Sequence, residues 1–104
     1  MGIYNNGGIV NVTGTLDTDE DGIGIYSNAG NVNIGNSTMK IDSLNTVGIY
    51  GTNGAVIDNS STMEIENTSY GIILEGNSKL TNKNTAVLGD TGIFVYSDGN
   101  NSVE

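Results

Sequence analysis

The sequence predicts an all-β chain wound as a parallel β-helix, a β-solenoid of about 4.5 coils of 21–24 residues with three short strands per coil. Three observations predict it. A Gly-Ile-aromatic motif recurs as Gly2-Ile3-Tyr4, Gly24-Ile25-Tyr26 and Gly48-Ile49-Tyr50, then more loosely as Gly71-Ile72-Ile73 and Gly92-Ile93-Phe94, at intervals of 22, 24, 23 and 21 residues. A second motif keeps the register: Ser37-Thr38-Met39-Lys40-Ile41-Asp42 matches Ser61-Thr62-Met63-Glu64-Ile65-Glu66 at a spacing of 24. Gly30-Asn31-Val32 and Gly54-Ala55-Val56 share that spacing. A unit this short cannot bury an apolar face by itself, and stacking on its neighbours lets it do so.

The elements follow in order. In the second unit the strands are 23–26, 32–34 and 38–41, separated by Gly, Asn and Ser turns. Period-two alternation points Ile23 and Ile25 one way and Gly24 and Tyr26 the other, and turns Met39 and Ile41 inward with Thr38 and Lys40 outward. The units run 2–23, 24–47, 48–70, 71–91 and 92–104, one repeat segment over 1–104 without evident caps. Inside, Ile3, Ile25, Ile49, Ile72 and Ile93 are expected to form one column, Val10, Val32 and Val56 a second, and Leu16, Met39, Met63 and Ala86 a third. Ser78 falls where the second column wants an apolar residue. The alternative fold is an antiparallel β-sandwich, whose strands also recur every 8–12 residues.

Composition narrows the function. Ser, Thr, Asn and Gly make up half of the 104 residues, while Leu, Ile, Val and Phe make up a quarter, enough for a folded core. With no Cys or His, disulfide scaffolds and the common transition-metal sites are excluded. With no His or Arg, the usual general base and the planar anion clamp are missing as well, so no enzyme is expected. A formal net charge of -9 argues against nucleic acid, and the absence of a long apolar run argues against membrane insertion. Residues 1–20 show no signal-peptide pattern.

The Gly-Ile-Tyr starts, the Ser-Thr-Met-x-Ile strands and the Asn/Gly/Ser/Thr-rich turns resemble the passenger region of bacterial autotransporter (type V secretion) adhesins, across all five units. The resemblance implies a right-handed β-helix, an extracellular or cell-surface location, and adhesion to a host or bacterial surface protein or glycan.

Four features carry candidate chemistry. Asp17-Thr18-Asp19-Glu20-Asp21-Gly22 matches the D-x-D-x-D-G start of a calcium loop, whose carboxylates converge on a hard cation. The match then fails, because the loop's bidentate Glu position is Asn28 and its apolar position is Gly24. No other cofactor is expected, and calcium rests on Asp17, Asp19 and Asp21 alone. Tyr4, Tyr26, Tyr50, Ile73 and Phe94 are expected to form an outward stripe about 19 Å long at the ~4.8 Å strand spacing. Such a stripe serves either as a ligand surface or as an aromatic ladder that holds the stack together. Thr15, Thr38, Thr62 and Thr85 form an outward rank beside Asp17, Lys40, Glu64 and Val87, a neighbouring rank too charged for ordering ice and suited to cross-coil ion pairs. Finally, both ends are in repeat register without a guard, which predicts head-to-tail self-association or flanking coils of a longer parent. The functional alternative to an adhesive segment is therefore a self-assembling solenoid that stacks into a filament.

Overall fold

The computed structural model describes residues 2–18 and 21–104. The first coil contains β1 (Ile3–Asn6), β2 (Ile9–Val12) and β3 (Leu16–Asp17). The second contains β4 (Ile23–Asn28), β5 (Asn31–Ile34) and β6 (Thr38–Ile41), and the third β7 (Val47–Thr52), β8 (Val56–Asn59) and β9 (Thr62–Ile65). The fourth contains β10 (Tyr70–Glu75), β11 (Lys79–Asn82) and β12 (Ala86–Leu88), and β13 (Ile93–Asp98) and β14 (Ser102–Val103) complete the stack. Sheet A joins β1-β4-β7-β10-β13, sheet B joins β2-β5-β8-β11-β14, and sheet C joins β3-β6-β9-β12. Every pairing is parallel, so the antiparallel sandwich is ruled out and the chain is a β-solenoid.

The core lies between the three sheets. Ile25, Ile49 and Ile72 come from sheet A, Val32, Ile57 and Leu80 from sheet B, and Met39, Ile41 and Met63 from sheet C, all with 0 % exposure. The third expected column holds throughout, as Leu16, Met39, Met63 and Ala86 are in register. The other two need correction.

In sheet A the column runs Ile3, Ile25, Ile49, Ile72 and then Val95, not Ile93, which pairs with Tyr70. The steps are 22, 24, 23 and 23 residues, so the Gly92-Ile93-Phe94 motif sits two residues ahead of the register its sequence suggests. The alternation slips by one between them, so Val95 points to the core while Ile93 takes the outward place of Tyr70.

In sheet B the column runs Val10, Val32, Ile57, Leu80 and Val103. Val56 is 38 % exposed and pairs with Asn31 and Lys79. The A-to-B connection is one residue longer from the third coil onward, and Ala55 occupies the added position with 0 % exposure. Gly51 makes room for it, since a Cβ there would lie 3.3 Å from the Ala55 methyl and 3.0 Å from Ile57 Cδ1. Ser78 stands at the corner in register with Ala55, where its hydroxyl accepts the Ala55 N–H (3.1 Å) and donates to the Glu75 carbonyl (2.7 Å). Leu80 fills the apolar position that Ser78 was expected to spoil.

The glycine of the Gly-Ile-Tyr motif marks a bend. Gly48 and Gly71 would each place a Cβ 2.6 Å from the δ-methyl of Ile41 or Ile65, and 2.6–2.7 Å from a carbonyl of the next coil. Glycine is therefore required by close approach of a sheet C side chain rather than by a special φ. At this bend the alternation slips by one: Gly24 and Ile25 are both buried, and Tyr26 faces out. Ile23, expected inward with Ile25, is half-buried and lies outside the core cluster.

Polar groups inside the corners are matched. Thr46 and Ser69 share a 2.8 Å hydroxyl bond, the Ser69 hydroxyl also donates to Ser43 O (2.8 Å), and Asn59 joins Ser61 and Asn82. No buried side-chain N or O lacks a partner among the described residues. That matters because an unmatched polar atom in so narrow a core would cost about 1–3 kcal/mol.

Candidate functional site

The slip at each motif glycine places two columns, not one, on the outer face of sheet A. The first is Ile23, Val47, Tyr70 and Ile93. The second is Tyr4, Tyr26, Tyr50, Ile73 and Tyr96. Tyr70 is fixed on this face by its ring contact with Tyr96, an edge-to-face pair with centroids 5.9 Å apart at 66°. The expected stripe is thus right in its first four members and wrong in its fifth. Tyr96, half exposed, takes the outward place, while Phe94 falls in the motif-glycine position and packs partly buried against the core. The strip is also about twice as wide as the sequence motif suggested, because Ile23 and Ile93 were expected inward and Val47 and Tyr70 were not placed.

The rings differ along the strip. Tyr4, Tyr26 and Tyr50 stack face to face, with centroids 5.5 and 5.0 Å apart and planes within 6° and 10°. Rings in that arrangement spend their faces on one another and turn edges and hydroxyls to solvent. Ile73 ends the ladder, and below it Tyr70 and Tyr96 meet edge to face. The first three tyrosines thus act as a ladder that stiffens the stack, and the lower half of the strip has exposed Ile93 and Tyr96 beside half-buried Tyr70 and Ile73.

Charge is arranged around this face. Glu75 and Asp98 follow the strip in sheet A and are direct register partners. Asp21 and Asp90 precede Ile23 and Ile93 at the opposite long edge. The three lysines lie elsewhere: Lys40 on β6, Lys79 on β11, and Lys83 just after β11, paired with Asp58 at 3.2 Å. That is the ion pair found among the described residues. The Asp17, Lys40 and Glu64 rank is in register as expected, yet among the described residues none of its charges comes within 4 Å of an opposite one.

Of the acidic turn, Asp17 and Asp21 are exposed, and Asp21 has a positive φ of 57°. Asp19 lies outside the described residues. Among those described, no three Asp or Glu side chains gather in a way that could hold a metal ion.

A carboxylate that sequence reasoning missed is Glu66, at the C-to-A corner. Its Oε1 accepts the Asn67 N–H (2.9 Å), the Thr91 hydroxyl (3.0 Å) and the Thr91 N–H (3.4 Å). Gly89 leaves the space that the carboxylate occupies. These bonds, the Asn67 amide foremost and the Thr91 hydroxyl next, lower its pKa below the ordinary 4.5. Because the folded value lies below the unfolded one, the latch is fully formed above the unfolded value and is lost as pH falls through the folded one. We expect the protection of the Thr91 amide, its exchange rate taken relative to the intrinsic rate, to fall on acidification through that range, and Glu66→Gln to remove that fall. An exchange rate at Thr91 that follows only the intrinsic pH trend in the wild type would contradict the latch. Only the run Glu66-Asn67-Thr68 hinted at this corner, and such a run is too common to single out.

Comparison with protein families, curated proteins and solved structures finds no match to this chain.

Proposed function

We propose that the chain is a non-catalytic structural and adhesive β-solenoid segment that works at a bacterial cell surface, in the manner of an autotransporter adhesin passenger. The observation that carries this reading is the outer face of sheet A, where two apolar columns run side by side along the stack, with Tyr4, Ile93 and Tyr96 exposed and the others half-buried. A contiguous apolar strip of this kind on a chain rich in polar residues is the usual mark of a contact surface. The scaffold supplies rigidity and reach, and the strip supplies the contact with a surface protein or glycan. Beads coated with the chain are expected to adhere to cell surfaces, and the double variant Tyr70→Ser/Tyr96→Ser is expected to lose most of that adhesion. Adhesion that survives this pair, with the fold intact by circular dichroism, would overturn the reading.

End-to-end assembly is the second reading, favoured by one observation. The two end coils are chemically matched, with Val95 above Ile3, Tyr96 above Tyr4 and Val103 above Val10 if a second copy continues the stack. Sheet C has four strands where sheets A and B have five, so such a joint leaves one strand position empty. Sedimentation at rising concentration tests it: a concentration-dependent series of sizes supports the filament, and a constant monomer removes it.

A further inference from the structure

We infer that the lower half of the sheet A strip docks an extended, cationic polypeptide, one whose Lys or Arg stems lie on Tyr70, Ile73, Ile93 and Tyr96 while their charged heads reach Glu75, Asp98 and Asp90. The inference rests on the adhesive reading and names the class of partner.

Three lines of argument lead to it. Glu75 and Asp98 are side by side on adjacent strands, a like-charge pair that is unfavourable in the free protein and is relieved by a cation. No lysine of the chain can provide that relief, because Lys40, Lys79 and Lys83 sit on or beside the other two sheets. Carboxylates thus border an apolar strip on both long sides, and Lys and Arg are the side chains that combine an apolar stem with a cationic head. The exposed ring of Tyr96, held edge to face against Tyr70, adds cation–π attraction for those heads. An extended segment rises about 3.3 Å per residue and adjacent strands lie about 4.8 Å apart, so roughly two to three residues cross the lower strip along the stack axis.

The rival occupants fit worse. A second copy would bring another net charge of -9 against the same carboxylates. A neutral glycan stacks on ring faces, and the longest aromatic run, Tyr4 to Tyr50, has spent its faces on its own ladder.

The test uses a labelled oligo-arginine peptide, its neutral citrulline counterpart and a neutral cello-oligosaccharide, with the whole chain. Oligo-arginine is expected to bind with shifts at Tyr70 and Tyr96 in nuclear magnetic resonance spectra. The pair Glu75→Gln/Asp98→Asn is expected to weaken it about tenfold, and Tyr96→Ser about threefold. Asp42→Asn/Glu64→Gln removes the same charge from the sheet C side and is expected to change affinity by less than about twofold. Equal losses from both pairs would reduce the effect to non-specific attraction and overturn the inference. Binding of the citrulline peptide or the oligosaccharide at the same strip with equal strength would overturn it while leaving the adhesive reading standing. If none of the probes reaches sheet A and Tyr70→Ser/Tyr96→Ser leaves cell adhesion unchanged, both fail together.

Discussion

Gly48→Ala is expected to destabilise the chain by about 2–4 kcal/mol, the cost of overpacking a site with no slack. The added methyl would stand 2.6 Å from both Gly71 O and Ile41 Cδ1. The carbonyl cannot retreat, because the ladder between β7 and β10 fixes it, and Ile41 is fully enclosed. For a domain of this size the melting midpoint falls by roughly 10–20 °C. Gly14→Ala is the control, since a Cβ there meets nothing within 4 Å. Thermal melts of the two variants check the expectation, and equal midpoints would mean that the motif glycines are not spacers for sheet C.

The second large effect separates two neighbours. Ile57→Ala is expected to cost about 2–5 kcal/mol, as for any fully enclosed aliphatic cut back to a methyl. Val56→Ala is expected to stay within about 0.5 kcal/mol, because that side chain is 38 % exposed and away from the core. Denaturant melts give both numbers, and the reverse order would restore the register read from the Gly-x-Val match.

That match shows where the sequence stopped being legible. The coil number, the three strands per coil and the Leu16-Met39-Met63-Ala86 column could all be read from spacing, because identical residues recurred at positions facing the same surroundings. Gly30-Asn31-Val32 and Gly54-Ala55-Val56 look equivalent as text, but the second contains the buried Ala55, which lengthens the path by one. A slip of one residue exchanges inside for outside, and nothing local in Val56-Ile57 says which of two aliphatics goes in. The fifth coil misled for a different reason. Gly92-Ile93-Phe94 imitates the motif, whereas the register is set by pairing on β10, which brings Phe94 into the glycine position and Tyr96 into the stripe. The stripe suffered accordingly: Tyr4, Tyr26, Tyr50 and Ile73 share its register, Phe94 does not, Ile93 was expected inward, and Tyr70 was not placed at all. Their outward direction depends on the bends at Gly71 and, one coil on, at Phe94, where the strict alternation of inward and outward residues is broken.

The direction of the inter-strand bonds has a mechanical consequence. Every ladder bond between coils runs along the stack axis, since each strand pairs only with the coil above and the coil below. Tension applied to the two ends along that axis therefore meets the bonds a few at a time, in peeling rather than in shear. One coil detaches, the next becomes the edge, and the chain lengthens in steps of roughly 80 Å, about 23 residues at about 3.5 Å each. A segment of this build yields gradually under pull, dissipating work coil by coil while the coils still stacked keep their shape.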